Sequence, residues 1–219
     1  MFAQNTTTEL INEAEKRCNN KNYEVCYSLA LQYALGGKIV RQDKFKAVEL
    51  YQKACNLEHQ ISCGLLADSY FKGDGVLQDK FKAIELHQIA CDRNSVMSCV
   101  DLATIYANGN GVRQDLFKAV ELYQKACNRK WPSACFNLGV MYFDGEGVRQ
   151  DKFKSVELYQ IACNGNYEDG CVNLGNMYFF GEGVRQDKLK ALNLFGKACD
   201  LKSELGCKKY AMLKNKSAK

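Results

Sequence analysis

Twelve cysteines, arranged in six pairs, are the residues of this 219-residue chain whose type and spacing point most directly to chemistry. The two members of each pair are eight residues apart, and the pairs recur every 36 residues, with one step of 37. An even number of cysteines at regular spacing is typical of a disulfide framework, and a fixed period of this length is typical of a solenoid. The predicted disulfides are Cys18–Cys26, Cys55–Cys63, Cys91–Cys99, Cys127–Cys135, Cys163–Cys171 and Cys199–Cys207.

Helix geometry decides what lies between the two cysteines of a pair. Residues eight apart on a continuous helix are about 12 Å apart along its axis, whereas a disulfide needs Cα atoms roughly 5.5 Å apart. A bonded pair therefore requires a turn, and the intervening segments, such as 164–170 (NGNYEDG), are rich in turn-forming residues. Each disulfide is predicted to join the end of one helix to the start of the next.

Two other uses of the cysteines remain open from the sequence. Six pairs of buried free thiols would fit an intracellular scaffold. The sequence lacks the usual motifs of a zinc site, because no C-x-x-C motif occurs and His59 and His87 are the only histidines. We predict no metal site and no cofactor, and we interpret both histidines as ordinary surface or boundary residues, His59 in a turn and His87 on a helix.

The helices that carry the cysteines repeat with the same period. A first helix, here called helix A, begins near the second cysteine of a pair and ends at a Gly-x-Gly-Val loop, as in 134–143 and 145–148. The loop glycines break the helix and permit positive φ, and Asp151 is a natural N-cap for a second helix, helix B, over 152–163. The predicted apolar stripe of this helix B is Phe153, Val156, Leu158, Tyr159 and Ala162.

This unit resembles the Sel1-like repeat family, a relative of the tetratricopeptide repeats. The resemblance rests on the Leu-Gly pair and tyrosine of helix A, the Gly-x-Gly-Val loop, the aspartate cap and the Lys-Ala pair of helix B, as in Leu138, Gly139, Tyr142, Asp151, Lys118 and Ala119. The eight-residue cysteine spacing resembles, more narrowly, the Helicobacter cysteine-rich protein group. The resemblance implies an all-α fold, a right-handed superhelical solenoid of disulfide-stapled helix-pair repeats, and export from the cell.

The predicted organisation is a single solenoid domain over residues 1–219. A lead-in helix occupies 1–20, about five helix-pair repeats occupy 21–201, and a closing helix with a basic tail occupies 202–219. The terminal units of a solenoid carry a polar outer face, because each repeat packs only on its neighbours. The segment 197–219 fits this role, with seven lysines against two acidic residues.

Charge and hydropathy argue against several classes of partner. The net charge is +5, but the basic stripe or charged aromatic channel of a nucleic-acid-binding protein is not evident. No segment is long and apolar enough to span a membrane. We therefore predict a monomer with neither a nucleic-acid partner nor a membrane span.

The disulfide framework predicts a periplasmic or secreted location. The first residues lack the charged and apolar regions of a signal peptide. We expect that the leader has been removed or that the given start lies inside it, with Phe2 and Ala3 as its last residues before Gln4.

The face of helix A opposite its packing side is the predicted ligand-binding groove. Counted from the cysteine, positions +3, +4 and +7 pack, whereas positions +2, +5 and +6 point the opposite way and differ between repeats. Asparagine offers a donor and an acceptor to a peptide backbone, and methionine adapts to varied apolar side chains. We expect a peptide, a protein or a peptidoglycan-derived cell-wall fragment to bind on this concave face. The predicted groove residues are Asp101, Thr104, Ile105, Asn137, Met141, Asn173, Asn176 and Met177.

A β-lactamase or penicillin-binding activity is implied by the resemblance to the cysteine-rich group, whose members carry that label. Serine β-lactamases need an S-x-x-K element together with S-D-N and K-T-G. Ser69 and Lys72 match the first element, which also arises by chance in a lysine-rich chain, and the other two elements do not occur. Ser69 and Lys72 are the candidate pair, no catalytic residue is assigned, and a β-lactamase-like hydrolase remains the alternative to ligand binding.

Overall fold

The described part of the chain consists of α-helices joined by turns and loops. The computed structural model describes residues 2–37 and 40–217, with the side chains of 9–37 and 40–215. Over these residues there are twelve α-helices and no β-strand. The helices are α1 (Phe2–Asn19), α2 (Tyr23–Leu35), α3 (Lys44–Asn56), α4 (Gln60–Lys72), α5 (Lys80–Asp92), α6 (Val96–Asn108), α7 (Leu116–Cys127), α8 (Pro132–Asp144), α9 (Lys152–Asn164), α10 (Glu168–Phe180), α11 (Lys188–Asp200) and α12 (Glu204–Ser217).

The helices form two compact units. The first contains the described residues up to Ile105 together with Asn110–Arg113, and the second contains Tyr106–Gly109 and the described residues from Gln114 onward. In the first unit α2 packs on α3, α3 on α4 and α4 on α5, and in the second the same succession runs from α7 to α12. Even-numbered helices correspond to helix A and odd-numbered helices to helix B. The all-α solenoid class built from helix pairs is confirmed, while the single domain stays a prediction.

All twelve cysteines form the six predicted disulfides. The Cα atoms of each pair lie 4.4–4.8 Å apart. Each bond joins the end of an odd-numbered helix to the beginning of the next even-numbered helix. Because every cysteine is used in this way, neither free thiols nor zinc-bound thiolates are present.

One residue of each disulfide-linked turn has a left-handed backbone. In the turn between Cys163 and Cys171, Asn166 has φ 62° and its N–H donates to the Cys163 carbonyl at 3.1 Å. The next N–H, that of Tyr167, donates to the Ala162 carbonyl at 3.0 Å. These bonds satisfy the last carbonyls of helix B while the chain reverses. The equivalent left-handed residues are Lys21, Glu58, Asn94, Lys130 and Lys202.

An aspartate caps each helix B from α3 to α11, as predicted. The Asp151 carboxylate accepts a hydrogen bond from the Lys154 backbone N–H at 2.9 Å, which satisfies one of the free donors of the first turn. Upstream, the Asp151 N–H donates to the Tyr142 carbonyl at 2.8 Å, so the glycine loop closes back on the end of helix A. The other caps are Asp43, Asp79, Asp115 and Asp187.

The apolar core of each unit consists largely of the predicted packing positions. Leu138 and Leu174 of the A helices are 0% exposed, and Tyr159 of helix α9 is 2% exposed. The placement of Phe153 in this stripe is wrong, because its side chain is 73% exposed. Phe153 precedes Tyr159 by six residues, which places it about 120° around the helix from that ring.

The second loop glycine fits against the preceding helix B, and we expect Gly147→Ala to destabilise the protein. Gly147 has φ +67°, and an added Cβ would lie 2.5 Å from the Leu116 carbonyl oxygen. The free energy of unfolding should fall by at least about 1–2 kcal/mol, the penalty for a left-handed alanine. Urea unfolding measures this change. Gly37→Ala is the matched control, because its Cβ would meet no atom within 4 Å, and equal losses in the two variants would contradict the loop geometry.

The disulfides constrain short loops, and opening one should cost stability. For the double substitution Cys163→Ala and Cys171→Ala we expect the free energy of unfolding to fall by roughly 2.5 kcal/mol, because the unfolded chain regains the freedom of one loop. Reduction of the unmodified protein opens all six links and should lower the melting temperature further. A melting temperature unchanged by reductant would show that the links do not stabilise the repeats.

Candidate functional site

The predicted groove residues lie on three A helices. The first unit contains those of α6, and the second unit contains those of α8 and α10, two helices that contact each other. These residues are Asp101, Thr104 and Ile105 on α6, Asn137 and Met141 on α8, and Asn173, Asn176 and Met177 on α10. Their membership of a ligand site stays a prediction.

In the second unit, the three predicted residues of α10 surround one cleft, here called the asparagine cleft. It has a volume of about 130 Å³ and is lined by Phe143, Tyr159, Asn173, Asn176, Met177 and Glu182. Met177 is 2% exposed, so it forms the apolar floor. Asn137 and Met141 of α8 are not among the lining residues, and Met141 is itself buried, at 5% exposed.

The two asparagines of this cleft have different polar surroundings. The Asn173 amide lies beside Tyr159, where it acts to lower the pKa of the phenol, but burial outweighs this influence and raises the pKa of Tyr159 to about 12, so this phenol is neutral at physiological pH. The Asn176 Oδ1 atom is buried, and it has no hydrogen-bond partner among the described residues. A buried acceptor without a partner costs about 1–3 kcal/mol, which a ligand N–H can recover.

A second, apolar cleft adjoins Asn176 on its other side. Here called the phenylalanine cleft, it has a volume of about 170 Å³ and is lined by Asn176, Phe179, Phe180, Phe195, Lys209, Met212 and Leu213. Phe180 is 63% exposed and Met212 is 57% exposed. Asn176 therefore lines both clefts, an arrangement that the sequence did not predict because α12 supplies part of the second cleft.

A third, wider cleft lies among the glycine loops of the second unit. This loop cleft has a volume of about 1000 Å³ and is lined by residues that include Arg149, Lys152, Phe153, Gly181 and Arg185. The sequence did not predict this cleft, because the loops were interpreted only as helix breaks. A phenylalanine stands two residues after four of the five aspartate caps, with Leu189 after the fifth, and this recurrence was the available signal.

The first unit holds a cluster of titratable side chains at the predicted groove position Asp101. The ligand atoms of Asp68, His87 and Asp101 all lie within 4.8 Å of one another. Burial, and to a lesser degree the Asp68 carboxylate, raises the pKa of Asp101 to about 6, against the opposing charge of Lys72. Burial also lowers the pKa of His87. The interpretation of His87 as a surface or boundary residue is wrong, because it is 2% exposed.

The other groove residues of α6 make structural contacts. The Thr104 hydroxyl donates to the Val100 carbonyl at 2.9 Å, within its own helix. Ile105 is 6% exposed and belongs to the core. Of the three predicted residues of α6, Asp101 thus has the side chain best placed for chemistry.

The candidate nucleophile Ser69 is engaged with the backbone of its own helix. Its hydroxyl donates to the Leu65 carbonyl at 2.9 Å. An activated serine instead needs a base that accepts this proton, and no base is hydrogen-bonded to Ser69 in the described structure. Lys72, three residues on, is exposed. The geometry therefore gives no support to a serine hydrolase.

The sequence model of the Sel1 repeat matches five segments of the chain, 24–59, 61–95, 96–130, 132–167 and 168–203. Together these segments cover well over half of the 219 residues. The chain belongs to the Sel1 repeat family. Sel1 repeats commonly serve as protein-interaction scaffolds. Comparison with curated proteins gave no match, and the described helices include none that is long and apolar enough to cross a bilayer.

Several solved structures are similar to this chain. The protective antigen c5321 of uropathogenic Escherichia coli, which has an SLR fold, is 26% identical with a TM-score of 0.89 over 94% of this chain and 44% of its own. A Sel1 repeat protein from Oxalobacter formigenes is 25% identical with a TM-score of 0.79, over 86% of this chain and 76% of its own. Cysteine rich protein B of Helicobacter pylori is 33% identical over 59% of this chain and 93% of its own, with a TM-score of 0.48. The chain thus spans less than half of the E. coli protein.

We expect Ser69→Ala to leave the rate of nitrocefin hydrolysis at the level of the unmodified protein, because the Ser69 proton is held by a backbone carbonyl. The assay uses purified, oxidised protein. The expectation is contradicted if the unmodified protein hydrolyses nitrocefin and Ser69→Ala abolishes the hydrolysis. That result would identify Ser69 as a nucleophile.

Proposed function

We propose that this Sel1 repeat protein binds an extended peptide segment of a partner protein across Asn176, between the asparagine cleft and the phenylalanine cleft. The observation that carries the proposal is the buried Asn176 Oδ1 atom without a hydrogen-bond partner among the described residues. An amide side chain turns readily about its last bond, so Asn176 can present its oxygen or its nitrogen to a ligand.

The two clefts suit different parts of a peptide. Asn173 and Asn176 offer donors and acceptors that match a peptide backbone. The exposed rings and thioether of the phenylalanine cleft offer apolar surface for one side chain of the peptide. Lys209 stands at the same cleft, and it favours a peptide with an acidic residue or a free carboxylate at that end.

We further propose that the protein works in the periplasm or outside the cell, as a member of the cysteine-rich group within the Sel1 family. Six disulfides are maintained in oxidising compartments and are rare in the cytosol. Membership of the cysteine-rich group rests on the eight-residue cysteine spacing rather than on the superposition with the Helicobacter structure.

The peptide could belong to a protein or to a peptidoglycan stem, and both have the backbone amides that asparagine recognises. We favour a protein, because Sel1 repeats commonly serve as protein-interaction scaffolds and the apolar cleft suits a large hydrophobic side chain. Binding of a muropeptide but of no hydrophobic peptide in the test below would reverse this preference.

The double variant Asn173→Ala and Asn176→Ala tests the proposal. An array of extended eight-residue peptides with one aromatic or aliphatic side chain at each position identifies a binder, and fluorescence anisotropy measures its affinity. We expect the affinity of the double variant to fall about tenfold or more, since two hydrogen bonds of about 1 kcal/mol each are lost. Because Asn173→Ala also removes the polar neighbour of the buried Tyr159 hydroxyl, the melting temperature should fall modestly, and circular dichroism checks that the variant is folded at the temperature of the assay.

Asn164→Ala is the matched control, because Asn164 is exposed on α9 and accepts only from Gln160 within its own helix. This variant should bind like the unmodified protein. Equal affinities of the double variant and of the unmodified protein for the best peptide would contradict the proposal, as would the absence of any binder in the array.

A further inference from the structure

Three side chains with metal-ligating atoms meet in the first unit, at a place that the peptide clefts of the second unit do not use. Asp68 lies on α4, His87 on α5 and Asp101 on α6. Their ligand atoms all lie within 4.8 Å of one another. Asp68 and Asp101 are half-buried, so their carboxylates can rotate, whereas the His87 imidazole is held in the core at 2% exposed.

None of the three residues recurs at the equivalent position of another repeat. In three other repeats, helix B has a tyrosine four residues before the first cysteine of its pair. In the repeat of Cys91 this residue is His87. Asp68 and Asp101 stand at positions +5 and +2 of the preceding and following helix A. The tyrosines at the position of His87 are Tyr51, Tyr123 and Tyr159. The residues at the position of Asp68 are Leu31, Thr104, Val140 and Asn176. The residues at the position of Asp101 are Ser28, Leu65, Asn137 and Asn173.

The imidazole is poorly satisfied by the protein alone. Its Nε2 atom lies 3.5 Å from Asp68 Oδ1, which is longer than the 2.7–2.9 Å of a charge-assisted hydrogen bond. Its Nδ1 atom is buried and has no hydrogen-bond partner among the described residues. Buried polar atoms are normally paired, yet neither nitrogen of this nine-tenths buried imidazole has a hydrogen bond of normal length among the described residues. The two ring nitrogens point in different directions, so the ligand that this cluster lacks is one at Nε2, the nitrogen that lies near Asp68.

The same distances suit a metal ion. Two ligands on a tetrahedral ion with bonds of about 2.1 Å are separated by about 3.4 Å, close to the 3.5 Å between His87 Nε2 and Asp68 Oδ1. The ligand atom of Asp101 lies within 4.8 Å of the other two, so a side-chain movement of at most about 1.4 Å brings it to the same separation of about 3.4 Å. Three protein ligands then leave room for water in the remaining coordination position.

The donor set and the charges select the class of ion. One imidazole and two carboxylates suit a divalent transition metal, whereas Ca²⁺ and Mg²⁺ prefer oxygen ligands alone. The positive charge of Lys72 would repel a bound cation, since it acts on both His87 and Asp101 and lowers the pKa of each. Its side chain is exposed, so the ammonium can turn away into solvent.

We propose that Asp68, His87 and Asp101 bind a divalent transition-metal ion of the Zn²⁺ class. The site involves residues of the first unit only, and it stands whether or not a peptide binds in the second unit.

Titration calorimetry of the oxidised full chain with ZnCl₂ at pH 7.5 tests this site. We expect one Zn²⁺ per chain, and no comparable binding of MgCl₂. His87→Tyr and Asp101→Asn should each weaken Zn²⁺ binding at least about tenfold. Both substitutions install a residue found at the same position of a sister repeat, so each variant should fold, which circular dichroism checks.

His59→Asn is the control, because His59 is the other histidine of the chain and its Nδ1 atom is already paired with the Ser62 hydroxyl at 2.8 Å. Its Zn²⁺ affinity should equal that of the unmodified protein. The proposal is overturned if the unmodified protein shows no saturable Zn²⁺ binding, if the two cluster variants bind as tightly as it does, or if the His59 variant alone loses the ion.

Discussion

The disulfide-linked turn between each helix B and the next helix A is the constraint on which the rest of each unit depends. The Cα atoms of the two linked cysteines lie 4.4–4.8 Å apart, and one residue of the turn has a left-handed backbone conformation. The chain therefore reverses in the same way at every repeat. Because the covalent link and the buried leucines hold the helices together, positions +2 and +5 of helix A can differ between repeats without loss of packing.

This freedom lets one repeat position support different chemistry in the two units. In the second unit the helix-B residue is Tyr159, which lies beside Asn173 and stays neutral because burial raises its pKa. In the first unit the same position is His87, beside Asp68 and Asp101. A neutral phenol–amide pair suits recognition of a peptide backbone, whereas an imidazole with two carboxylates suits a cation.

The fold could be predicted from local rules, and the sites only in part. Disulfide pairing, the cap at Asp151 and the positive φ of the loop glycines each depend on residues a few positions apart. Phe153 was misplaced because it lies on the first turn of its helix, away from the stripe. The cluster at His87 depends on three helices meeting, with Asp68 19 residues before the histidine and Asp101 14 residues after it, so only the packed structure joins the three side chains.

Hydrogen–deuterium exchange of the oxidised chain, with and without the tightest peptide of the array, tests most directly whether the surface around Asn176 is the binding surface. We expect slowed exchange in α10 and α12, which line the two clefts that flank Asn176. Slowed exchange confined to the glycine loops at 145–148 and 181–184, with α10 unchanged, would contradict this and would place the peptide in the loop cleft.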